Sequence, residues 1–282
     1  MGIRTDLAID KKPTFDKQER GIIKKEKNSK FTTVCEIEFL EQKVAEKYGK
    51  EKGKYITISF ESLEKISDYR EIEKEIERAL SLLCKKDFEQ VLVIALGNEE
   101  ITADNIGPKT AKRLLATRHI AGEFAEKIGL KKLKSVSILS PNVLGKTGIE
   151  TAEICTALCK KINPDFVIVL DALCTSDYKR IFKTVQLTNS GISPGSGVKN
   201  KRQEISQKTL GIPVIAVGVP TVTTAEALAF YMTEKPPKED CELIVTPKDC
   251  DLYSHRITEI LSNSLNRFLQ PEIDEEIIFE LV

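Results

Sequence analysis

The amino-acid sequence predicts an α/β fold: a mainly parallel sheet covered by helices on both faces, with further strands at its N-terminal periphery. Two observations carry this reading. The runs QVLVIAL (90–96), DFVIVLD (165–171) and IPVIAVG (212–218) are almost continuously apolar, the pattern of strands buried on both faces. Between them lie stretches whose apolar residues recur at helical spacing, and strands alternating with helices build parallel sheets.

The elements follow in order. Residues 1–30 are polar and Lys-rich and read as an exposed or loosely held arm. KFTTVCEIEFL (30–40) and KYITISF (54–60) alternate as strands do. Ser67 is placed to cap a helix carrying Tyr69, Ile72, Ile76, Ala79, Leu80 and Leu83 on one face. The run 90–96 leads to a helix over 107–126, and SVSILS (135–140) to a helix over 147–162. A loop region follows 165–171, and FKTVQLT (182–188) reads as a further strand, antiparallel and at an edge. The run 212–218 leads to a helix over 223–232. A last helix spans Asp251 to Leu269, with Ile257, Ile260, Leu261, Leu265 and Phe268 as its apolar stripe. The tail PEIDEEIIFELV is acidic and apolar, a strand or a partner-docking segment. The whole is one domain over 1–282, divided into an arm with strands (7–66), a core (67–270) and a tail (271–282).

Composition narrows the function classes. A chain of 282 residues with 41% hydrophobic and 30% charged residues buries a sizeable core and is not disordered. Lys plus Arg and Asp plus Glu both number 43, so net charge is zero and gives no electrostatic case for direct nucleic-acid binding. No apolar run approaches the roughly 20 residues that span a bilayer. The start, MGIRTDLAIDKKP, lacks a signal peptide's apolar stretch, and Asp6 stands where N-myristoylation needs Ser or Thr. The expected location is cytoplasmic. Seven cysteines without CxxC spacing predict neither disulfides nor a zinc motif, and Cys155 with Cys159, one helical turn apart, reads as core packing. With only His119 and His255 present, Ser-His-Asp, Cys-His and multi-His zinc schemes would each need one of these two.

In open α/β sheets, ligands bind beyond the carboxyl ends of the strands. Those ends here are Gly97-Asn98 with Asp104 in the next loop, Pro141-Asn142, Asp171, and Gly218 to Thr221. Asp171 closes a run of five apolar residues, where a charge needs a partner, a raised pKa or a metal. Two facing carboxylates either share a proton, one acting as base and the other as acid, or hold a cation that activates water. Both residues also have a plainer reading as helix caps. The Gly-rich NSGISPGSGVKNKR (189–202) offers a nest of backbone N–H groups able to polarise a carbonyl, or is a surface loop. It is not a P-loop, because it has no Gly-Lys-Ser/Thr after four intervening residues, and GKTGIETAE (145–153) is not one either, because Ser140 stands where the first glycine belongs. His119 and Cys174 read as structural.

The motifs RTDLAID, ALGNEEITADNIGPKT, LLATRH, GKTGIETAEI, NPDFVIVLDALC, GISPGSGVKNKRQEIS, TLGIPVIAVGVPTVTTAEAL and LIVTPKDCD occur together and in order. From residue 4 to about 265 the chain thus resembles the spore germination proteases, endopeptidases that degrade small acid-soluble spore proteins. The resemblance implies a phosphorylase/hydrolase-like α/β fold similar to hydrogenase-maturation peptidases. It also implies a precursor that processes itself, a homotetramer in the spore core, and no cofactor. The family's two catalytic carboxylates fall on Asp104 and Asp171, and Asn98, Gly195, Ser196 and Gly197 are candidates for substrate or oxyanion contacts. Related peptidases use a metal with an added His, for which this sequence shows no obvious counterpart. In RTDLAID the self-processing bond falls between Asp6 and Leu7, which makes residues 1–6 a short prosegment. DALC and TVTTAEA are mild variants of the family wording, and the connection at 233–241 is short. The alternatives are a catalytically silent or regulatory binding protein on the same fold, or a metal-dependent version of the peptidase.

Overall fold

The computed structural model describes residues 5–10, 20–84, 87–122, 133–195, 202–235 and 241–281. The strands are β1 (Ile22–Asn28), β2 (Thr32–Phe39), β3 (Gly53–Phe60), β4 (Gln90–Ala95), β5 (Ser135–Leu139), β6 (Phe166–Cys174), β7 (Thr184–Thr188), β8 (Val214–Thr224) and β9 (Ile244–Val245). Among the described residues they form one sheet in the order β1-β2-β3-β7-β8-β6-β4-β5, with β9 pairing off β8. The fold is α/β, and its sheet is mixed. The strands β5, β4, β6 and β8 run parallel, where the continuous apolar runs lie. From β8 outward, β7, β3, β2 and β1 each pair antiparallel with their neighbour.

The helices are α1 (Gln42–Lys47), α2 (Arg70–Leu83), α3 (Ile106–Ala111), α4 (Leu144–Thr147), α5 (Thr151–Ile162), α6 (Gln207–Leu210), α7 (Ala225–Thr233), α8 (Cys250–Leu269) and α9 (Glu275–Leu281). They lie on two faces of the sheet. On one, α2, α3 and α8 bury Ile72, Ile76, Ile106, Ile260 and Leu261 with alternate residues of the strands, Val91, Val93, Ile168 and Leu170 among them. On the other, α5 sets Ala152, Cys155 and Cys159 against Leu92, Ile94, Val167 and Val169. Further along this second face, Leu7, Ala8 and Ile9 pack with Val44 and Ala45 of α1 on Cys35, Ile37, Phe39, Tyr55 and Leu173.

Several sequence expectations change. The described parts of residues 1–30 are not a loose arm, because Leu7, Ala8 and Ile9 are core residues and Ile22–Asn28 is an edge strand on β2; residues 1–4 and 11–19 lie outside the described residues. Charged β1 side chains hid that strand, although Lys and Glu are common protectors of exposed sheet edges. The strand at 184–188 is antiparallel but internal, between β3 and β8. The helix expected over 107–126 ends at Ala111, and residues 123–126 of that expectation lie outside the described residues. Beyond it the chain swings to the sheet edge, where the N–H groups of Thr117 and Arg118 both donate to the Val136 carbonyl, at 3.0 and 3.1 Å. The helix expected over 147–162 is interrupted at Gly148, whose φ of 69° ends α4. Helix α2 begins at Arg70 rather than after Ser67, and the Asp68 carboxylate accepts the Arg70 N–H at 2.9 Å. The tail is helical. Glu275 pairs with Arg70 at 2.9 Å and with Arg267, while Ile278 is buried.

The position of Leu7 yields a direct check. Its side chain is fully buried, so Leu7→Ala should destabilise the protein by about 3 kcal/mol in urea unfolding, the usual cost of emptying such a site. A loose arm would lose nothing.

Candidate active site

Side chains alternate along a strand, so Asp171 shares a face with Val167, Val169 and Leu173. That is the face carrying α5 and residues 7–9. The strand continues past Asp171 to Cys174, paired with β8 throughout, so the carboxyl stands within the sheet rather than at a strand end. Asp171 is opposite Gly218 of β8, and Gly218 is opposite Gln186 of β7. Asp171 and Gln186 therefore project from the same face with only a glycine between them. A Cβ on Gly218 would lie 2.4 Å from Leu173 Cδ1, so the packing itself excludes a side chain there.

The second carboxylate is delivered by the turn after β4. Gly97 turns the chain with φ 116°, and a Cβ there would lie 2.0 Å from the Asp104 carbonyl oxygen. The Asn98 N–H donates to Asp104 Oδ2 at 2.8 Å, and Thr221 Oγ1 of β8 donates to the Ala103 carbonyl at 2.6 Å. Asp104 closes the short 3-10 turn Thr102–Asp104 and is not the cap of α3, a position taken by Asn105. The neighbouring acids are surface charges, Glu99 paired with Lys112 and Glu100 with Lys146.

The two aspartates line one cleft of about 480 Å³, with Asp6, Asn142, Gly195 and Arg202 also on its wall. Burial pushes the Asp104 carboxyl up from its ordinary value, against the pull of the Asn98 N–H. Asp171 rises well above the ordinary carboxylate range, first through burial and then through the negative charges of Asp104 and Asp6. Its own next amide, Ala172 N–H, donates to Oδ1 at 2.9 Å and opposes the rise only weakly. Asp104 thus ionises first, and its charge holds the proton on Asp171. Two carboxyls poised in this way can act as a base and an acid at one time.

The expected site residues that are described each have a definite place. Asp6, Asp104, Asp171 and Gly195 line the cleft. Asn98 serves Asp104 through its backbone, while its Oδ1 accepts the Glu100 N–H at 3.1 Å. Ser196 and Gly197 lie outside the described residues. Cys174 is buried and its thiol is pushed up to about 12, mainly by burial, which leaves it no thiolate to attack with. Among the described residues no three His, Cys, Asp or Glu side chains gather as a cation's donor set.

The segment at residues 5–10 enters this cleft. The Asp6 N–H donates to the Cys174 carbonyl at 2.9 Å, and Cys174 N–H donates to Asp6 Oδ2 at 2.8 Å. After Leu7, Ala8 and Ile9, the Asp10 carboxylate accepts from Thr5 Oγ1, Thr175 Oγ1 and the Ser176 N–H at 2.5, 2.8 and 2.9 Å. Arg180 Nε stands 2.9 Å from its other oxygen. The Asp6–Leu7 bond is therefore fixed from both sides. Sequence reading missed the anchor at Asp10, since nothing near it in the chain marks it as buried.

A family model for germination protease matches residues 4–232. A germination protease of Clostridium tetani is 36% identical over 98% of this chain and 98% of its own length. That of Caldanaerobacter subterraneus is 35% identical over 100% of this chain and 98% of its own. That of Priestia megaterium is 40% identical over 80% of this chain and 65% of its own. Among solved structures, a NiFe hydrogenase maturation protease of Thermococcus kodakarensis aligns with 68% of this chain and 98% of its own, at 12% identity and a TM-score of 0.36, too slight a likeness to argue from.

Two checks follow from the geometry. A folded-state pKa raised above the unfolded one makes a stability contribution that is complete below the ordinary value of 3.8 and is lost as pH climbs through the folded value. Asp171→Asn removes that loss, so its urea midpoint at neutral pH should exceed that of the parent chain and fall less between acid and neutral pH. Gly97→Ala forces a Cβ onto a backbone oxygen at positive φ and should cost about 2–4 kcal/mol in the same measurement.

Proposed function

Because the chain belongs to the germination protease family, we propose that it is a peptidase of germinating spores which cuts small acid-soluble spore proteins after an acidic residue, using Asp104 and Asp171 on a water molecule. One observation carries the reading: a buried carboxyl, Asp171, coupled to the half-buried Asp104, lines with it a cleft in which the chain's own Asp6, an acid followed by an apolar residue, is already seated. Asp104, the first to ionise, takes a proton from the attacking water. Asp171, which holds its proton, donates it to the departing amide nitrogen. The same pair cuts the Asp6–Leu7 bond, releasing residues 1–6. Gly195, Ser196 and Gly197 offer further contacts to the substrate chain, and Asn98 positions Asp104. The family likeness also supports a homotetramer working in the cytoplasm of the spore core.

Asp171→Asn is the decisive variant. It should abolish fragment formation from a small acid-soluble spore protein, a loss of at least about 10,000-fold, and leave the Asp6–Leu7 bond intact in mass spectra while circular dichroism is unchanged. Fragments from that variant at the parent rate would refute the assignment. Unchanged turnover after chelator treatment is expected, and a chelator-sensitive rate would replace the metal-free pair by a metal-assisted one.

A further inference from the structure

The carbonyl of the bond assigned as the self-processing site is not free. Lys50 Nζ donates to the Asp6 carbonyl oxygen at 2.7 Å and reaches the Thr5 carbonyl at 3.4 Å. Gln186 Nε2 donates to the same Asp6 oxygen at 3.4 Å. Each donor is held by its own surroundings. Lys50 follows α1, where its N–H donates to the Ala45 carbonyl at 3.0 Å and Gly49, at φ 65°, makes the turn. The Gln186 amide is oriented by the Ala8 N–H, which donates to Oε1 at 2.7 Å, so that the other end of the amide, Nε2, meets Asp6.

Residue 6 also spans the reactive face. Through Cys174 it is tied to β6, and through Gln186 to β7, the two strands that flank β8. Asp171 stands on the β6 side of Gly218, and Gln186 on the β7 side. The Asp6 carbonyl thus meets N–H donors from Lys50 and Gln186, while Asp6 lines the same cleft as Asp104 and Asp171. This is the arrangement that acyl transfer needs, because charge develops on the oxygen while water adds to the carbon.

We infer that Lys50 and Gln186 are catalytic residues that stabilise the oxyanion, first in self-cleavage and then, once residues 1–6 have left, at the substrate carbonyl that takes the place of Asp6. The inference rests on the endopeptidase reading. Water adds to the carbonyl carbon with loss of a proton to the carboxylate pair, and the oxygen's new negative charge is met by the Lys50 ammonium and the Gln186 N–H. As the oxygen re-forms its double bond, the C–N bond breaks and the amide nitrogen takes a proton from the pair. The products are a carboxyl at the acidic residue and a free amine on the next. The 3.4 Å Gln186 contact has room to shorten as charge grows, so it favours the transition state over the bound ground state.

The full-length chain tests this with three variants. Lys50→Met keeps the length of the side chain and removes the donor; Lys50→Arg restores a cation; Gln186→Glu keeps the acceptor for Ala8 N–H and removes the donor. Release of residues 1–6 is followed by mass spectrometry, and kcat and KM are measured on a small acid-soluble spore protein, with the melting temperature alongside. Lys50→Met should lower kcat and the self-cleavage rate about 100- to 1,000-fold, with KM within about threefold of the parent. Gln186→Glu should lose about 10-fold or more in kcat, and Lys50→Arg should recover part of the loss. Parent kcat in Lys50→Met, or a loss confined to KM, overturns the inference while leaving the aspartate pair standing. Should Lys50→Met fail to fold, parent kcat in Gln186→Glu overturns it equally. A parent chain that cuts neither its own bond nor the spore protein sinks the endopeptidase reading, and the inference with it.

Discussion

A carboxyl group is built into the middle of a sheet, and much of the molecule is arranged around the cost of keeping it there. Asp171 has apolar strand neighbours on both sides along β6 and lies under the chain's own N-terminal segment. Burying its charge would cost several kcal/mol, so it keeps its proton instead. That proton is also what makes the group useful. A fold that hydrated Asp171 fully would gain stability and lose a buried acid, the trade of stability for function that active sites commonly make.

Two glycines and two strands convert that buried acid into a site. Gly218 makes room beside Asp171 for the Leu173 side chain, and Gly97 lets the turn after β4 fold back until Asp104 borders the same cleft. Parallel pairing of β4, β6 and β8 fixes the relative height of the two carboxyls, because both are referred to one hydrogen-bonded ladder. Thr221 extends this control from β8 to the turn itself, through the Ala103 carbonyl. The pair is therefore positioned by sheet register and not by flexible side chains, which is what precise acid–base geometry requires.

The sequence made the central strands legible because β4, β6 and β8 bury both faces, and such strands read as unbroken apolar runs. Their ends were not legible. Asp171 looked like the end of a run and proved to be internal to a strand that continues to Cys174, since an acid in an apolar pattern is also what a strand boundary looks like. The mixed half of the sheet was harder still: β1 is Lys-rich, and β7 owes its internal position to β3, far away in the chain. Asp104 and Asp171 were singled out as strand-end acids, but only the ordered family motifs favoured pairing them. Lys50 and Gln186 gave no signal at all. Their convergence depends on α1, β7 and the N-terminal segment meeting on one face, a consequence of topology with no local pattern in the chain.

The N-terminal segment explains how one site can hold a bond and still accept another chain. Leu7, Ala8 and Ile9 belong to the core, and Asp10 is bound by Thr175, Ser176 and Arg180, so the part after the proposed cut is anchored independently of the part before it. Among the described residues before the proposed cut, Asp6 brings to the cleft its two bonds to Cys174 and its carbonyl on Lys50, and Thr5 donates to Asp10. Hydrolysis on the proposed reading would release these contacts. On that reading the N–H and carbonyl of Cys174, the Lys50 ammonium that held the Asp6 carbonyl, and the aspartate pair would then be offered to an incoming acidic residue. On the proposed reading, cleavage in cis and cleavage in trans use one set of groups, and the bond that the chain holds in place would keep other chains out until it is cut.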